Sequence, residues 1–332
     1  MDRIVIIGLG LLGGSLGLAL TAGKLRDVEI VGVDQSWDAV NLAKRKRAVD
    51  RVERLAEDAV KDAALVIVAT PILAFPAVFE TIAPHLKEGA VVTDVGSTKR
   101  QVMEWADRAL PPRVHFVGGH PMAGKETPGI EHAAANLFQD ATYCIVPAPG
   151  AGKSAVELVV GLAACVGARH YFIGAEEHDL LVGGVSHLPM VLSAALMHAT
   201  SSSPSWEEMA RLAGPGFRDV SRLASSGMDL KRGISVTNQQ GLLYWLDTYM
   251  ALLHRWRQTL AGNVDAFVGE LDQAREAREK WLSGKDGARS EWIPDLPSPT
   301  EQMTEMLVGS RLSQLMRRHD DRLKERERGG GG

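Results

Sequence analysis

The chain has 332 residues, of which 45% are hydrophobic and 23% charged, with 34 Gly and 15 Pro. This is the composition of an ordinary globular chain and excludes low-complexity disorder and collagen. Against 41 Asp plus Glu stand 37 Lys plus Arg, a formal charge of −4, so no global basic field draws nucleic acid or an anionic membrane and small-molecule work is expected.

Two cysteines, Cys144 and Cys165, build no disulfide framework and lack the spacing of a zinc or redox pair. They are expected to be buried apolar residues in a reducing, cytoplasmic setting. The apolar run 4–7 breaks at glycine, too soon for a signal sequence or a membrane span, so no targeting and no membrane association are expected. The length predicts two domains.

Along residues 1–150, short β-branched runs at 3–7, 29–33, 64–69, 90–94, 115–118 and 142–146 alternate with helical stretches at 16–22, 38–46 and 98–110. That spacing predicts βαβ units and an α/β domain with a doubly wound parallel sheet. A Pro- and Gly-rich segment, 147–153, changes the texture. From 154 to 283 Ala-, Leu- and Met-rich patterns dominate, broken at Pro204 and at Gly214-Pro215-Gly216, which predicts a second, all-α domain. Its stretches 188–197 and 241–253 carry more apolar residues than one face of a solvated helix needs, so burial against a partner subunit is expected. Residues 284–332 read as a charged C-terminal extension, helical in pattern from 301 to 328.

Directly after the first apolar run comes Gly8-Leu9-Gly10-Leu11-Leu12-Gly13. In the strand-to-helix context such glycines allow a tight turn and close backbone approach, while the helix N-terminus offers unpaired N–H groups to a pyrophosphate. The second run ends in Asp34, 21 residues after Gly13, where a carboxylate accepts hydrogen bonds from both hydroxyls of an adenosine ribose. Gln35, Ser36 and Trp37 supply no counter-ion for a 2′-phosphate, so NAD is expected over NADP. With these signals the N-terminal domain reads as Rossmann-type. Ala69-Thr70-Pro71 and Asp94-Val95-Gly96-Ser97-Thr98-Lys99 also fall at strand C-terminal ends, the edge where open α/β sheets bind ligands, which adds Thr70, Pro71 and Ser97 to the cofactor side. Ser97 can also serve as a helix N-cap, and the two roles are compatible.

The segment Gly118-Gly119-His120-Pro121-Met122-Ala123-Gly124-Lys125-Glu126 sets a histidine among residues that leave its imidazole open. Such a histidine is either structural or a proton-transfer group. The same alternatives hold for Glu177-His178-Asp179, for Ser186-His187-Leu188-Pro189, and for the arginines of Gly216-Phe217-Arg218-Asp219-Val220-Ser221-Arg222. The histidines lack paired ligand spacing and thiolate partners, so no metal is expected.

In their order these motifs resemble the prephenate dehydrogenase family, which includes arogenate dehydrogenases, over residues 1 to about Asn238. The resemblance implies a Rossmann domain followed by a helical dimerisation domain, and hence a homodimer. It implies NAD-dependent oxidation of the ring C4 hydroxyl of prephenate with loss of the ring carboxylate as CO2, giving 4-hydroxyphenylpyruvate, the tyrosine precursor. Position by position, His120 matches the catalytic histidine that takes the hydroxyl proton, and Ser97 a residue touching that hydroxyl and the nicotinamide. Arg222 matches the arginine that binds a substrate carboxylate, and His187 a substrate-contacting histidine. Glu126, Asp219 and Lys125 join the substrate-binding set. Two departures fall in the substrate half: Lys231 stands where the family has Trp, and Met190 follows Ser-His-Leu-Pro where His is common. Arogenate or an amino-substituted prephenate is the alternative substrate. A β-hydroxyacid dehydrogenase and a non-enzymatic NAD-sensing protein are more remote alternatives.

Overall fold

The computed structural model describes residues 2–23, 25 and 27–284. The expected C-terminal extension lies outside the described residues apart from Gly284.

One eight-stranded sheet organises the N-terminal part. Its strands are β1 (Asp2–Ile7), β2 (Val28–Val33), β3 (Arg51–Val52), β4 (Ala63–Val68), β5 (Val91–Asp94), β6 (His115–Pro121), β7 (Thr142–Pro147) and β8 (Arg169–Phe172). Their order is β3-β2-β1-β4-β5-β6-β7-β8. All pairs are parallel except β6 with β7. The strand order reverses direction between β1 and β4, the place where such sheets open a ligand crevice.

Six helices cover the sheet: α1 (Leu11–Ala22), α2 (Trp37–Lys46), α3 (Ala56–Ala59), α4 (Phe75–Ile82), α5 (Arg100–Ala109) and α6 (Lys153–Cys165). The near-continuous apolar strands follow from burial on both faces. Ile4 and Ile6 pack with Leu16, Leu20 and Leu158 on one side; Val5 and Ile7 pack with Phe75, Phe79 and Val102 on the other. Burial pushes the Cys144 and Cys165 thiols up to about 11.

The change of texture near residue 150 does not end the sheet. α6 crosses back over it, and β8 pairs in parallel with β7 through Thr142 to Arg169 and Ile145 to Phe172. The purely helical part therefore starts after Phe172 and not at 154. β8 escapes the sequence pattern because it is an edge strand, Arg-His-Tyr-Phe, with three of its four residues exposed. An edge strand has neither two buried faces nor a clean alternation to betray it.

Beyond the sheet, α7 (Ala175–Val182), a π-helical turn Gly183–His187 and α8 (Leu188–Ser201) form one continuous helix. By length and composition the run Ala175–Ser201 could cross a membrane, yet it carries buried His178, Asp179 and His187. The widened turn is held from outside. The Trp245 Nε1–H donates to the Leu180 carbonyl at 2.7 Å, and the Asn238 Nδ2 donates to the Asp179 carbonyl at 2.6 Å. Trp245 lies so close that a Cβ on Gly184 would come within 2.6 Å of its ring, so this turn needs glycine. Among the described residues the remaining α-helices are α9 (Trp206–Leu212), α10 (Pro215–Ser221), α11 (Met228–Thr237), α12 (Gln239–Gly262) and α13 (Val264–Leu282). The breaks expected at Pro204 and Gly214 fall between α8, α9 and α10.

Candidate active site

The C-terminal ends of β1, β2, β4, β5 and β6 meet at one edge and bring Gly8, Asp34, Thr70, Ser97 and His120 to the same side of the sheet. The three motif glycines do different work there. Gly8 has φ +99°, and a Cβ on it would lie 2.6 Å from the Ala69 backbone. On Gly13 a Cβ would lie 1.9 Å from the Gly8 carbonyl oxygen. Gly10 meets nothing within 4 Å. The outer two glycines thus let strand and helix close on each other, and the middle one leaves the opening that a pyrophosphate needs.

Gly10 is also the N-cap of α1, with no side chain capping it and no acidic residue in the first turn, where Leu11 and Leu12 sit. Its free N–H groups and positive dipole end suit a dinucleotide's phosphates. Leu9 is fully buried, so its part is played by the main chain. Its N–H donates to Asp34 Oδ2 at 2.7 Å while Ser36 N–H donates to Oδ1 at 2.8 Å. Asp34 is thereby held, half-buried, at the end of β2. Thr70 and exposed Pro71 follow β4 across the opening from Gly8. These residues fit an NAD-type group by shape and by donor set.

His120 is the penultimate residue of β6 and is 7% exposed. Its Nδ1 lies 2.8 Å from His178 Nε2, and His178 Nδ1 lies 2.8 Å from Asp179 Oδ1. Asp179 in turn accepts the main-chain N–H groups of Lys99 at 2.7 Å and Arg100 at 3.0 Å, which caps the start of α5. The N-cap role allowed for Ser97 therefore goes elsewhere: α5 begins at Arg100, and a carboxylate from another helix supplies the acceptor. Ser97 stays half-buried between β5 and α5.

Beneath His120, Lys99 and Asp94 form a fully buried ion pair. Asp94 also accepts Gly96 N–H at 2.7 Å and Gly119 N–H at 3.0 Å, so its charge is satisfied on every side, as a buried carboxylate requires. Burial holds the His120 imidazole well below its ordinary range, and His178, Lys99 and His187 push it the same way. His187, at the end of the π turn, is fully buried. Burial lowers it to about 4 against the opposing pull of Asp179. Its Nδ1 lies 3.0 Å from Asn238 Nδ2, its Nε2 is buried with no hydrogen bond of normal geometry, and the Ser97 main chain, like Asp179, opposes the effect of burial. The site thus holds two neutral imidazoles, the form that can take or lend a proton at neutral pH.

Arg222 lies in the 3-10 turn that follows α10 and pairs with Glu126, across from the helical part to the loop after β6. The other two expected substrate residues are placed differently. Lys125 is exposed and donates to the His132 carbonyl at 2.8 Å, and Asp219 is exposed on α10. Five residues of this cluster, Asp94, Lys99, His178, Asp179 and Asn238, are assigned no role from sequence. Asp94 and Lys99 lie at the ends of the motif that contains Ser97, and His178 and Asp179 lie in Glu177-His178-Asp179, but nothing local ties His178 to His120, 58 residues earlier.

Residues 16–172 match the nucleotide-binding domain of prephenate dehydrogenase, and residues 174–273 its dimerization domain. The boundary between the two matches agrees with the end of β8. The prephenate dehydrogenase of Bacillus subtilis (strain 168) is 33% identical over 325 residues, covering 94% of this chain and 86% of the relative. The Synechocystis arogenate dehydrogenase structure is 29% identical, with a TM-score of 0.71 over 84% of this chain and 99% of its own. The prephenate dehydrogenase from A. aeolicus in complex with hydroxyphenyl propionate and NAD+ is 26% identical, with a TM-score of 0.78 over 84% of this chain and 98% of that one.

Proposed function

The chain belongs to the prephenate dehydrogenase family, an oxidoreductase family, and from that premise we propose that it is an NAD-dependent prephenate dehydrogenase. One observation carries the reading: a buried histidine kept neutral, His120, stands at the same sheet edge as the glycine cradle and Asp34. When bound, NAD accepts the hydride from ring C4 of the substrate. The chain's own residues do the rest. The Gly8 to Gly13 turn and Asp34 hold the dinucleotide, with Thr70, Pro71 and Ser97 along the opening. His120 takes the proton of the C4 hydroxyl as the hydride departs, and Ser97 orients that hydroxyl. Formation of the C4 ketone and loss of the ring carboxylate as CO2 yield an aromatic ring, so the protein need only align and deprotonate.

Arg222 binds a substrate carboxylate, a role for which its planar fork is suited, and its pairing with Glu126 holds it at the rim until substrate arrives. His187 contacts the substrate from the helical side, with Lys125 and Asp219 at the outer entrance. Arg222→Ala is expected to raise KM for prephenate by about tenfold to a few hundredfold, roughly 1.5–3 kcal/mol, with NAD affinity unchanged. An unchanged KM in steady-state assays would remove Arg222 from the site. The proposal includes a cytoplasmic homodimer built through the helical part, which the match to a dimerization domain over residues 174–273 supports.

A second reading, oxidation of arogenate, is favoured by Glu126, whose carboxylate beside Arg222 suits an ammonium where prephenate has a keto group. Purified protein assayed for NADH formation with prephenate and with arogenate in parallel decides between them. Activity with neither would reject both.

A further inference from the structure

We propose that Asp179 and Asn238 set the two buried imidazoles of the site in opposite hydrogen-bonding states, so that His120 Nε2 is a bare acceptor and His187 Nε2 a donor. The inference follows donors and acceptors through the cluster. The Asp179 carboxylate already accepts two main-chain N–H groups, is acceptor-only when ionised, and faces His178 Nδ1 at 2.8 Å. That nitrogen therefore carries hydrogen, and in a singly protonated ring His178 Nε2 is then an acceptor. His120 Nδ1, 2.8 Å away, must donate to it, which leaves His120 Nε2 with its lone pair.

The second branch starts from the same residue. The Asp179 carbonyl takes one hydrogen of Asn238 Nδ2 at 2.6 Å, and this fixes which end of the amide faces it. The other hydrogen points to His187 Nδ1 at 3.0 Å, so Nδ1 accepts and Nε2 carries the hydrogen. That Nε2 is fully buried and makes no hydrogen bond of normal geometry, and the Ser97 main-chain carbonyl facing the ring favours hydrogen on it, since a buried donor is rarely left unpaired. The groups facing His120 are His178 from α7, His187 from the π turn, and Lys99 with its partner Asp94 below. Apart from His178 at 2.8 Å, none of them is hydrogen-bonded to His120 Nδ1.

His178, Asp179 and Asn238 are thus positioning residues. The catalytic use of the arrangement rests on the proposed function: a bare Nε2 at position 120 takes the hydroxyl proton, the new imidazolium is held through His178 by Asp179, and the donor at 187 meets a substrate oxygen. In acyl-transfer enzymes a carboxylate behind a histidine serves in this way, orienting the ring without itself becoming protonated.

Neutron diffraction from crystals of the full chain without substrate reads the hydrogens directly. The expected result is hydrogen on His120 Nδ1 only, His178 Nδ1 only and His187 Nε2 only. Hydrogen on His120 Nε2, or both nitrogens of His178 protonated, would overturn the inference. Kinetics supply a second test. His178→Leu removes the acceptor and is expected to lower kcat about 10²- to 10⁴-fold with little change in KM for NAD, while His178→Gln, which can still accept from His120, recovers at least tenfold of the loss. A Leu variant within threefold of the parent kcat, or a Gln variant no better than Leu, counts against it. Absence of NADH formation by the parent protein with either substrate would instead reject the proposed function and leave the neutron result standing.

Discussion

The proposed choice of NAD over NADP rests on a single carboxylate at the end of β2. Asp34 is held by the N–H groups of Leu9 and Ser36, so it cannot swing away from a 2′-phosphate, and the repulsion between them goes unrelieved. NAD is expected to be used far better than NADP, and Asp34→Ser to narrow the gap; kcat/KM with the two cofactors measures both, and equal use by the parent protein would contradict it. At position 120 the side chain is buried beside Lys99 and two further imidazoles, which keeps it neutral. A base with a lowered pKa is already deprotonated at neutral pH, so kcat/KM should be flat there and fall only as the pH drops well below 6.5. His120→Asn is expected to lower kcat by roughly 10²- to 10⁴-fold while dinucleotide binding survives. An acid limb centred at or above 6.5 in the pH profile, or near-parental kcat in the variant, would assign the base elsewhere.

The strand-to-helix turn between β1 and α1 separates folding from binding within six residues. At Gly13 an added Cβ has no room, lying 1.9 Å from the Gly8 carbonyl oxygen; at Gly10 it meets no protein atom within 4 Å. Gly13→Ala is therefore expected to lower Tm and abolish dinucleotide binding together. Gly10→Ala should leave Tm within a degree or two and still weaken NAD by tenfold or more, since the methyl group occupies only the ligand's space. Calorimetric melting beside fluorescence titration with NADH separates the two, and a Gly10→Ala protein that binds NADH as tightly as the parent would show that no phosphate passes there. The continuous helix Ala175–Ser201 has a comparable division. Its π turn, held by Trp245 and Asn238, places His187, while the preceding turn places His178 and Asp179.

Between the two parts of the chain the distribution of burial is uneven. The sheet and its helices enclose two cores, whereas α12, 24 residues and so roughly 36 Å long, buries only Gly241 and Leu242, and α13 buries none. Leu243, Tyr244, Met250, Leu253, Leu260 and Val268 stand exposed along them, more apolar surface than a lone subunit usually leaves to water. A homodimer is expected by light scattering at micromolar concentration, and Met250→Glu combined with Leu253→Glu should shift it toward monomer. A monomeric parent protein would refute this assembly.

What the amino-acid sequence determined by itself is what local chemistry specifies. The alternating strands and helices, the glycine turn with its acid one strand on, and the breaks at Pro204 and Gly214 were legible because each is a property of neighbouring residues, and they appear at those places in the structure. His120, Ser97, His187 and Arg222 could be singled out through their motifs, although residue types alone left their roles open. Only the tertiary structure decided the rest. β8 joins the sheet because β7 offers it an edge, not because its own four residues announce a strand. The cluster behind His120 joins residues 94, 99, 120, 178, 179, 187 and 238 through hydrogen bonds and ion pairs. No periodicity spans such separations, and a hydrogen bond acts only between atoms that folding has brought within about 3 Å of each other. Which nitrogen of a histidine carries its proton is therefore settled by partners far away in the chain.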